Sequence, residues 1–417
     1  MSDKEILAAL EITSHEIRLL VGEFFNTRLN ILRSERVETK GMDGFTIKDP
    51  KEVATAIRSA VNHASEILKV RIERVILAIP AYRMNKESQR ISKMIEHAER
   101  RVVLDDIRQI VIQGKQAQID NDLELINLVC VRYFTNGMST RRMPIDDMCD
   151  ILDVDMDLLC ADKMTAYDYV SCVEMAGVNV MDVCLDSYAV CKEMTLFEQS
   201  VDQNNVIIQL EKDRTTLSIV SQGRLEITKI MNQGYNNWTN ALQKEFGISE
   251  SLSEKILLTM IDWTNRMPKD APIYAWQNGE EIEEISQKQA YGVLKEQTKQ
   301  YAQSIRHVCE PFLDTDNIRF VVCGEGSEID GIEQYLSEVL EKPCKRYVPD
   351  TLGARNGMWT TCLGMFYTYH DQLVIKKNKL MSVDSSAYAA AMHKVTGVPH
   401  GEGFTTKLKG LFSQIKN

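Results

Sequence analysis

The alternation of apolar and polar positions near the N-terminus predicts a β-hairpin followed by a third strand. The turn is expected at Thr13-Ser14-His15, and the strands are expected at Ile6 to Ile12, Ile17 to Phe25 and Leu29 to Glu38. Asp49 and Pro50 then mark the start of a helix, because aspartate accepts hydrogen bonds from unpaired amides and proline fits the first helical turn. After this helix the pattern returns to a strand at Arg74 to Ile79. The N-terminal part is therefore predicted to be a sheet covered by a helix.

The same order of elements returns in the second half of the chain. The strands are expected at Val206 to Leu210, Thr215 to Ser221 and Leu225 to Met231, with a turn at Glu211 to Arg214. A later strand, Ile318 to Cys323, leads into a glycine-containing turn and a helix. Two such units resemble the actin-like proteins, which include actin, chaperones and sugar kinases. This resemblance implies a two-lobed α/β fold in which each hairpin turn points at a nucleotide phosphate.

Residues 88–164 have a different pattern and predict an inserted α+β subdomain. We expect a strand at Gln89 to Met94, a helix at Leu104 to Gln118 and a strand at Leu123 to Phe134. Irregular chain is expected from Gly137 to Asp155, followed by a helix at Thr165 to Met175.

The last residues of the chain predict a short amphipathic helix. Phe404, Leu408, Leu411, Phe412 and Ile415 are spaced to share one side of a helix, and Lys407, Lys409 and Lys416 lie on the other side. This pattern is typical of a helix that lies at a membrane surface and binds anionic lipids. The alternative is that the helix docks into a groove of its own protein. Residues 376–402 are predicted to be a flexible linker, whose r.m.s. reach is about 25 to 30 Å.

Composition narrows the class of protein. The net charge of −11 argues against binding to nucleic acid. The 10 cysteines lack metal-ligand or CxxC spacing and are expected to be reduced thiols in the cytosol. The seven histidines form no cluster, so no metal site is predicted.

These features together resemble the FtsA family of bacterial actin-like cell-division proteins. The resemblance covers both hairpins, the insertion, the glycine-containing turn and the terminal helix, and it implies five regions. They are a first lobe at 1–87 with 165–202, an SHS2-type insertion at 88–164, a second lobe at 203–375 whose smaller subdomain is 232–312, the linker 376–402 and the membrane-targeting helix 403–417. The resemblance also implies a peripheral protein on the cytoplasmic side of the membrane at the division site. Its expected partners are the C-terminal tail of FtsZ, other copies of itself, an anionic membrane surface and, through the insertion, later division proteins.

The phosphate-binding turns depart from the family pattern. Family members carry aspartate and glycine where this chain has Glu11 and Thr13, and they carry an aspartate and a run of glycines where it has Gln209 to Arg214. Glycines let backbone amides approach phosphate closely, and the aspartate supports Mg²⁺. We therefore expect ATP binding with Mg²⁺ to be weak or absent and hydrolysis not to occur. The residues that match a degenerate nucleotide site are Thr13, Ser14, Thr215, Thr216, Glu254, Lys255, Gly324, Gly326 and Gly331.

The FtsZ tail is expected on the long helix predicted at Ser286 to Phe312. Lys295, Lys299 and Arg306 lie away from its apolar face, and the resemblance implies that they pair with the acidic tail. Two other interpretations remain open. One is a pilus-assembly actin-like adaptor, which has no need of the terminal helix. The other is an actin-fold ATPase or sugar kinase, which needs intact phosphate turns.

Overall fold

The structure is a computed structural model that describes residues 4–25, 28–97, 99–195, 204–264, 267–278, 281–313, 317–376 and 380–384. In chain order its strands are β1 Glu5–Ile12, β2 Glu16–Phe25, β3 Arg28–Glu38, β4 Met42–Asp43, β5 Thr46–Ile47, β6 Arg74–Ile79, β7 Asn85–Met94, β8 Leu123–Thr135, β9 Met138–Thr140, β10 Ile151–Asp162, β11 Asn179–Leu185, β12 Asn204–Leu210, β13 Thr215–Ser221, β14 Arg224–Met231, β15 Pro272–Asn278, β16 Glu281–Ser286, β17 Ile318–Cys323 and β18 Cys344–Arg346. The helices are α1 Pro50–Leu68, α2 Leu104–Gly114, α3 Lys163–Met175, α4 Asp186–Glu193, α5 Asn236–Phe246, α6 Glu250–Thr259, α7 Gln287–Leu313, α8 Ile332–Leu340 and α9 Thr360–Leu373.

The first lobe is built on a five-stranded sheet in the order β11-β6-β1-β2-β3. Alternate side chains of β1 point to opposite faces, and both faces are buried. Helices α1 and α3 cover one face, and α9 covers the other. Asp49 caps α1 as predicted, because its carboxylate accepts the amides of Lys51 and Glu52.

The second lobe repeats this arrangement with a five-stranded sheet in the order β14-β13-β12-β17-β18. One face of the sheet packs against helices α5 to α8. The other face contributes Ile207, Val220, Leu225 and Cys323 to the core of the first lobe, so the two lobes share apolar contacts. The paired hairpins predicted from the sequence are both present.

The insertion forms its own four-stranded sheet in the order β7-β10-β8-β9, packed against α2. The prediction of irregular chain from Gly137 to Asp155 is wrong, because Ile151–Asp162 is the central strand β10. Asp153, Asp155 and Asp157 in this strand obscured the pattern. Each of them binds a residue of the neighbouring strand β7. Asp153 accepts from Ser92, Asp155 from Arg90 and Asp157 from Ser88.

Two region boundaries also differ from the prediction. The second lobe was expected to run to residue 375, but α9 lies on the sheet of the first lobe, where Leu363 and Phe366 join the core. The chain therefore returns from the second lobe to the first between Arg346 at the end of β18 and Ala354, which already belongs to the core of the first lobe.

The linker was expected to start at residue 376, yet residues 380–384 pack on the first lobe. Ser382 accepts the amides of Glu73 and Arg74 through its carbonyl and donates its own amide to Ile6. Its hydroxyl oxygen accepts the Ala8 amide at 2.7 Å. Residues 385–417, which include the rest of the predicted linker and the predicted membrane helix, lie outside the described residues.

No helix within the described residues combines the length and apolar character needed to cross a bilayer.

Candidate functional site

Three turns meet in the cleft between the lobes. The first turn, Thr13 to His15, is closed by Thr13, whose amide donates to the Glu16 carbonyl at 2.9 Å. The second turn, Glu211 to Arg214, is closed by the Glu211 amide, which donates to the Arg214 carbonyl at 2.9 Å. The third turn begins at Gly324, whose φ of 84° lies in the left-handed region that favours glycine.

Arg18 connects these turns from the beginning of strand β2. Its side chain is fully buried. Within the first lobe, Nε of the guanidinium donates to Glu16 Oε1 at 2.6 Å. Across the cleft, Nη2 donates to Glu211 Oε2 at 2.9 Å and to Glu325 Oε2 at 3.3 Å, both in the second lobe. Nη1 donates to the Met358 carbonyl at 3.3 Å. One buried cation therefore bridges carboxylates of both lobes.

Glu325 is the second centre of this cluster. Its Oε1 accepts a hydrogen bond from Arg36 at 2.7 Å, and its Oε2 accepts one from the Tyr235 hydroxyl at 2.9 Å. His15 Nε2 lies 3.3 Å from Oε2. Burial alone would raise the pKa of Glu325, but hydrogen bonding by His15 and the charges of Arg18, His15 and Arg36 hold that pKa well below its usual range. Glu325 is therefore ionised at neutral pH.

Glu11 lies opposite Arg18 in the β1–β2 register, with Oε2 3.7 Å from Nη1. Burial raises the pKa of Glu11 to about 7, and the charge of Arg18 only partly opposes this. For Arg18, burial lowers the pKa, but the carboxylates of Glu211, Glu11, Glu16 and Glu325 together outweigh burial and raise it well above the usual value. Arg18 is therefore permanently charged.

The fold family implies a magnesium nucleotide in this cleft, and the residues present do not fit one. A Cβ atom at Gly324 would lie 2.5 Å from the Leu210 carbonyl oxygen, and one at Gly326 would lie 2.4 Å from the Leu210 side chain. The glycine-containing turn therefore packs directly on the second hairpin. The cluster also holds four glutamates, Glu11, Glu16, Glu211 and Glu325, against the two arginines Arg18 and Arg36, so it would repel a triphosphate.

A metal ion is equally disfavoured by the geometry of this cluster. His15, Glu16 and Glu325 offer three ligand atoms within 4.8 Å of one another. However, Arg36 already binds both carboxylates, and Arg18 lies against them as well. The two arginines thus occupy the carboxylate oxygens that would otherwise ligate a metal ion.

The structure brings only some of the predicted nucleotide residues to the cleft. Thr13 and Ser14 form the first turn. The hydroxyl of Thr215, by contrast, donates to the Gln233 carbonyl at 2.7 Å and lies 2.9 Å from the Tyr301 hydroxyl, so it serves the core of the second lobe. Thr216 is buried beside it in the same strand.

The remaining predicted residues are spread along one side of the second lobe. Glu254 Oε1 lies 3.0 Å from the Tyr235 hydroxyl oxygen, and Lys255 is exposed on α6. Gly331 precedes α8 with a φ of 78° and packs on Thr264. The nucleotide assignment of these residues stays a prediction.

Sequence reasoning missed Arg18, Arg36 and Glu325, although one signal was present. Arg18 interrupts an apolar strand, and a charge within such a strand must find buried partners.

The predicted FtsZ-binding residues lie on α7. Lys295 and Lys299 are exposed. Arg306 donates to the Val339 carbonyl at 2.9 Å and pairs with Glu341 at 3.3 Å, which fixes the end of α8 against α7. The predicted membrane-binding residues of 403–417 lie outside the described residues.

A groove of about 1310 Å³ lies between the insertion and the first lobe. Strand β10 pairs with one edge of β8 along its whole length. On the other edge, β9 pairs only with Tyr133 to Thr135. The outer edge of β8 from residue 123 to 132 thus has no strand partner within the described residues. Asn127 spans the gap to β11, because its Oδ1 accepts the Leu185 amide at 2.9 Å.

No family model matches the chain. It is similar to the cell division protein FtsA of Bacillus subtilis (20% identical, covering 88% of this chain and 83% of that protein). It is also similar to FtsA of Streptococcus pneumoniae, with 23% identity over 85% of this chain and 78% of that protein. FtsA of Enterococcus hirae is 19% identical over 100% of both chains.

Solved structures share the fold. The structure titled "PilM-PilN type IV pilus biogenesis complex" matches with a TM-score of 0.58 at 12% identity, covering 87% of this chain and 98% of that one. MreB5 of Spiroplasma citri bound to AMPPNP matches with a TM-score of 0.51 at 11% identity, covering 88% and 97%. The predicted actin-like fold is confirmed. The chain is a distant relative of the FtsA proteins, and this relationship supports an actin-like role in cell division.

Proposed function

We propose that this relative of the FtsA division proteins is an adaptor that anchors FtsZ filaments to the inner face of the cytoplasmic membrane and assembles with copies of itself. The observation that carries the proposal is sequence similarity to FtsA proteins over most of the chain, combined with an actin-like fold. The proposal includes no catalytic step, because the phosphate turns of an ATPase or sugar kinase are replaced here by a charged cluster. The pilus-type alternative shares the fold but leaves the terminal amphipathic pattern without a role.

Membrane attachment is assigned to residues 403–417. Replacing Leu408 and Phe412 with aspartate should abolish sedimentation of the full chain with phosphatidylglycerol-rich vesicles, since both apolar side chains lie on the predicted membrane face. The matched control is Thr406→Asp with Ser413→Asp, which makes the same change of charge on the polar face. That control should keep most of its binding. Equal binding by both double variants would contradict the anchor.

FtsZ binding is assigned to the exposed cations of α7. The probe is a labelled peptide of the FtsZ C-terminal tail, and binding is measured by fluorescence anisotropy. Lys295→Glu with Lys299→Glu should weaken binding by about 10-fold or more, because two attractive charges become repulsive. Lys269→Glu with Lys255→Glu alters two exposed lysines that are not part of α7 and serves as the charge control. If both variants weakened peptide binding equally, the loss would come from the change in net charge, and the assignment of the site to α7 would be wrong.

Later division proteins are assigned to the groove beside β8. An unpaired edge that lines a groove can accept an extended segment as an added strand. A photoreactive residue at Leu125, within the groove, should crosslink to division proteins in cells, whereas one at the exposed Met175 should not. Failure to crosslink at Leu125 would remove this surface from the proposal.

A further inference from the structure

We propose that Arg18 replaces the nucleotide as the link between the two lobes, so that the cleft of this chain is closed by its own charges and needs no ligand. In a nucleotide-binding actin-like protein, phosphates and a metal ion lie between the two hairpin turns. Here a guanidinium lies between them and makes the contacts across the cleft. The inference rests on the geometry of the cleft alone, and it stands or falls separately from the division role.

The first support is that Arg18 is fixed by its own lobe before it reaches the other. Glu16, two residues away on β2, accepts from Nε at 2.6 Å. Glu11 lies across the hairpin from Arg18 in the strand register. The guanidinium is thereby aimed across the cleft, and holding it there requires little further ordering of the side chain.

The second support is that the contacts across the cleft are charged and buried. Glu211 comes from the second hairpin turn and Glu325 from the glycine-containing turn, and each is at most 5% exposed. Both bind Nη2 of Arg18. Arg36 adds a bond to Glu325 at 2.7 Å from a partly exposed position. Because His15 of the first turn lies 3.3 Å from Glu325, each of the three turns contributes to one cluster.

The third support is what the cluster becomes without the arginine. Glu211 would then lose the guanidinium that it binds and would face Glu11 of the other lobe, whereas Glu325 would keep Arg36 and His15. Removing one partner of a buried charge pair leaves the other uncompensated. Repulsion between carboxylates of different lobes would favour opening of the cleft. The same carboxylates oppose entry of a triphosphate, so one arrangement explains both closure and exclusion of nucleotide.

Other contacts also join the lobes. The Tyr347 hydroxyl donates to Glu193 at 3.0 Å, and Lys86 of the insertion pairs with Glu226 of β14. Loss of Arg18 should therefore loosen the cleft without separating the lobes.

The test uses the full chain without vesicles or FtsZ. Hydrogen exchange is followed at the amides of the three turns, and small-angle scattering reports the radius of gyration. Arg18→Met should speed exchange of the turn amides by about 10-fold or more and increase the radius, while the strands inside each lobe keep their protection. Arg58→Met is the control, because Arg58 binds the Met175 and Ala176 carbonyls of its own lobe, outside the three turns. It should leave the turns unchanged.

A second variant covers the case in which Arg18→Met does not fold. Glu325→Gln keeps the size of the side chain and an acceptor for the Tyr235 hydroxyl but removes the charge. It should produce a smaller change in the same turns. Wild-type exchange rates in all folded variants would overturn the proposal.

Nucleotide is tested directly on the wild-type chain. Calorimetric titration with ATP and Mg²⁺ should show no binding, and ATP should not slow exchange of the turn amides. Mg²⁺-dependent binding at micromolar concentration, with slower exchange in the turns, would mean that the cleft accepts a ligand, and the proposal would be wrong.

Discussion

Replacing Glu11 with glutamine should remove a pH dependence of stability that this one buried carboxyl creates. Glu11 lies on β1 at the centre of the cleft and is 2% exposed. Burial raises its pKa from 4.5 to about 7. The folded state therefore holds the proton more tightly than the unfolded state. The stabilisation is complete below pH 4.5 and is lost as the pH rises through about 7.

The magnitude follows from the size of the pKa shift. Each pKa unit corresponds to about 1.4 kcal/mol, so the full shift is worth about 3 kcal/mol. Integrated between about pH 5 and about pH 8.5, the loss of stability from Glu11 is about 2 to 3 kcal/mol. Glutamine has nearly the same shape but does not titrate. Relative to the wild type, the free energy of unfolding of the variant should rise by about 2 to 3 kcal/mol over this pH range.

The assay is unfolding in urea at several pH values, with the free energy of unfolding of each protein obtained by linear extrapolation. Only the difference between variant and wild type is interpreted. Burial also raises the pKa of Glu193 to about 7, but this group is present in both proteins and cancels. A Glu193→Gln variant gives the matching test at a second buried carboxyl.

Parallel pH profiles for the Glu11 variant and the wild type would refute the reasoning. They would mean that Glu11 is ionised across the whole range and that the charge of Arg18, not burial, decides its pKa.

Two glycines in helices and one buried hydrogen bond give three further predictions. Gly364→Ala should destabilise the chain by about 3 kcal/mol or be too unstable to purify, because its Cβ would lie 1.8 Å from the Ala189 carbonyl oxygen. In contrast, Gly292→Ala in α7 meets nothing within 4 Å and should raise the free energy of unfolding by about 0.5 to 1 kcal/mol. Asn127→Ala should lower stability by about 1 to 3 kcal/mol and expose the Leu185 amide to hydrogen exchange, since that amide loses its acceptor. Unchanged exchange at Leu185 would show that water replaces the amide side chain.

The hairpins and the glycine-containing turn could be predicted because their signals are local. Alternation of apolar and polar residues, together with turn residues, indicates a pair of strands within about ten residues, and this pattern appears twice in the chain. Strand β10 escaped prediction for a physical reason. Asp153, Asp155 and Asp157 disfavour a strand on their own, and their partners lie far away in the sequence, on β7 and at Arg224 of β14.

The position of α9 and the charged cluster depend on long-range packing. Helix α9 is apolar on nearly all sides, so its sequence indicates burial but does not say against which lobe. Arg18 meets Glu211 and Glu325 across separations of 193 and 307 residues. A single sequence contains no local pattern that links residues so far apart.

The attachment of Ser382 determines where mechanical load would enter the molecule. Its backbone and side chain bond to Ile6 and Ala8 on β1 and to Glu73 and Arg74 at the start of β6. Tension applied to the chain beyond Asp384 would act first on these four hydrogen bonds, which join Ser382 to two neighbouring strands of the first lobe. Several bonds that share a load resist it better than one. A filament pulling against a surface held by the C-terminus would thus load this corner of the sheet first, before α9 or the cleft.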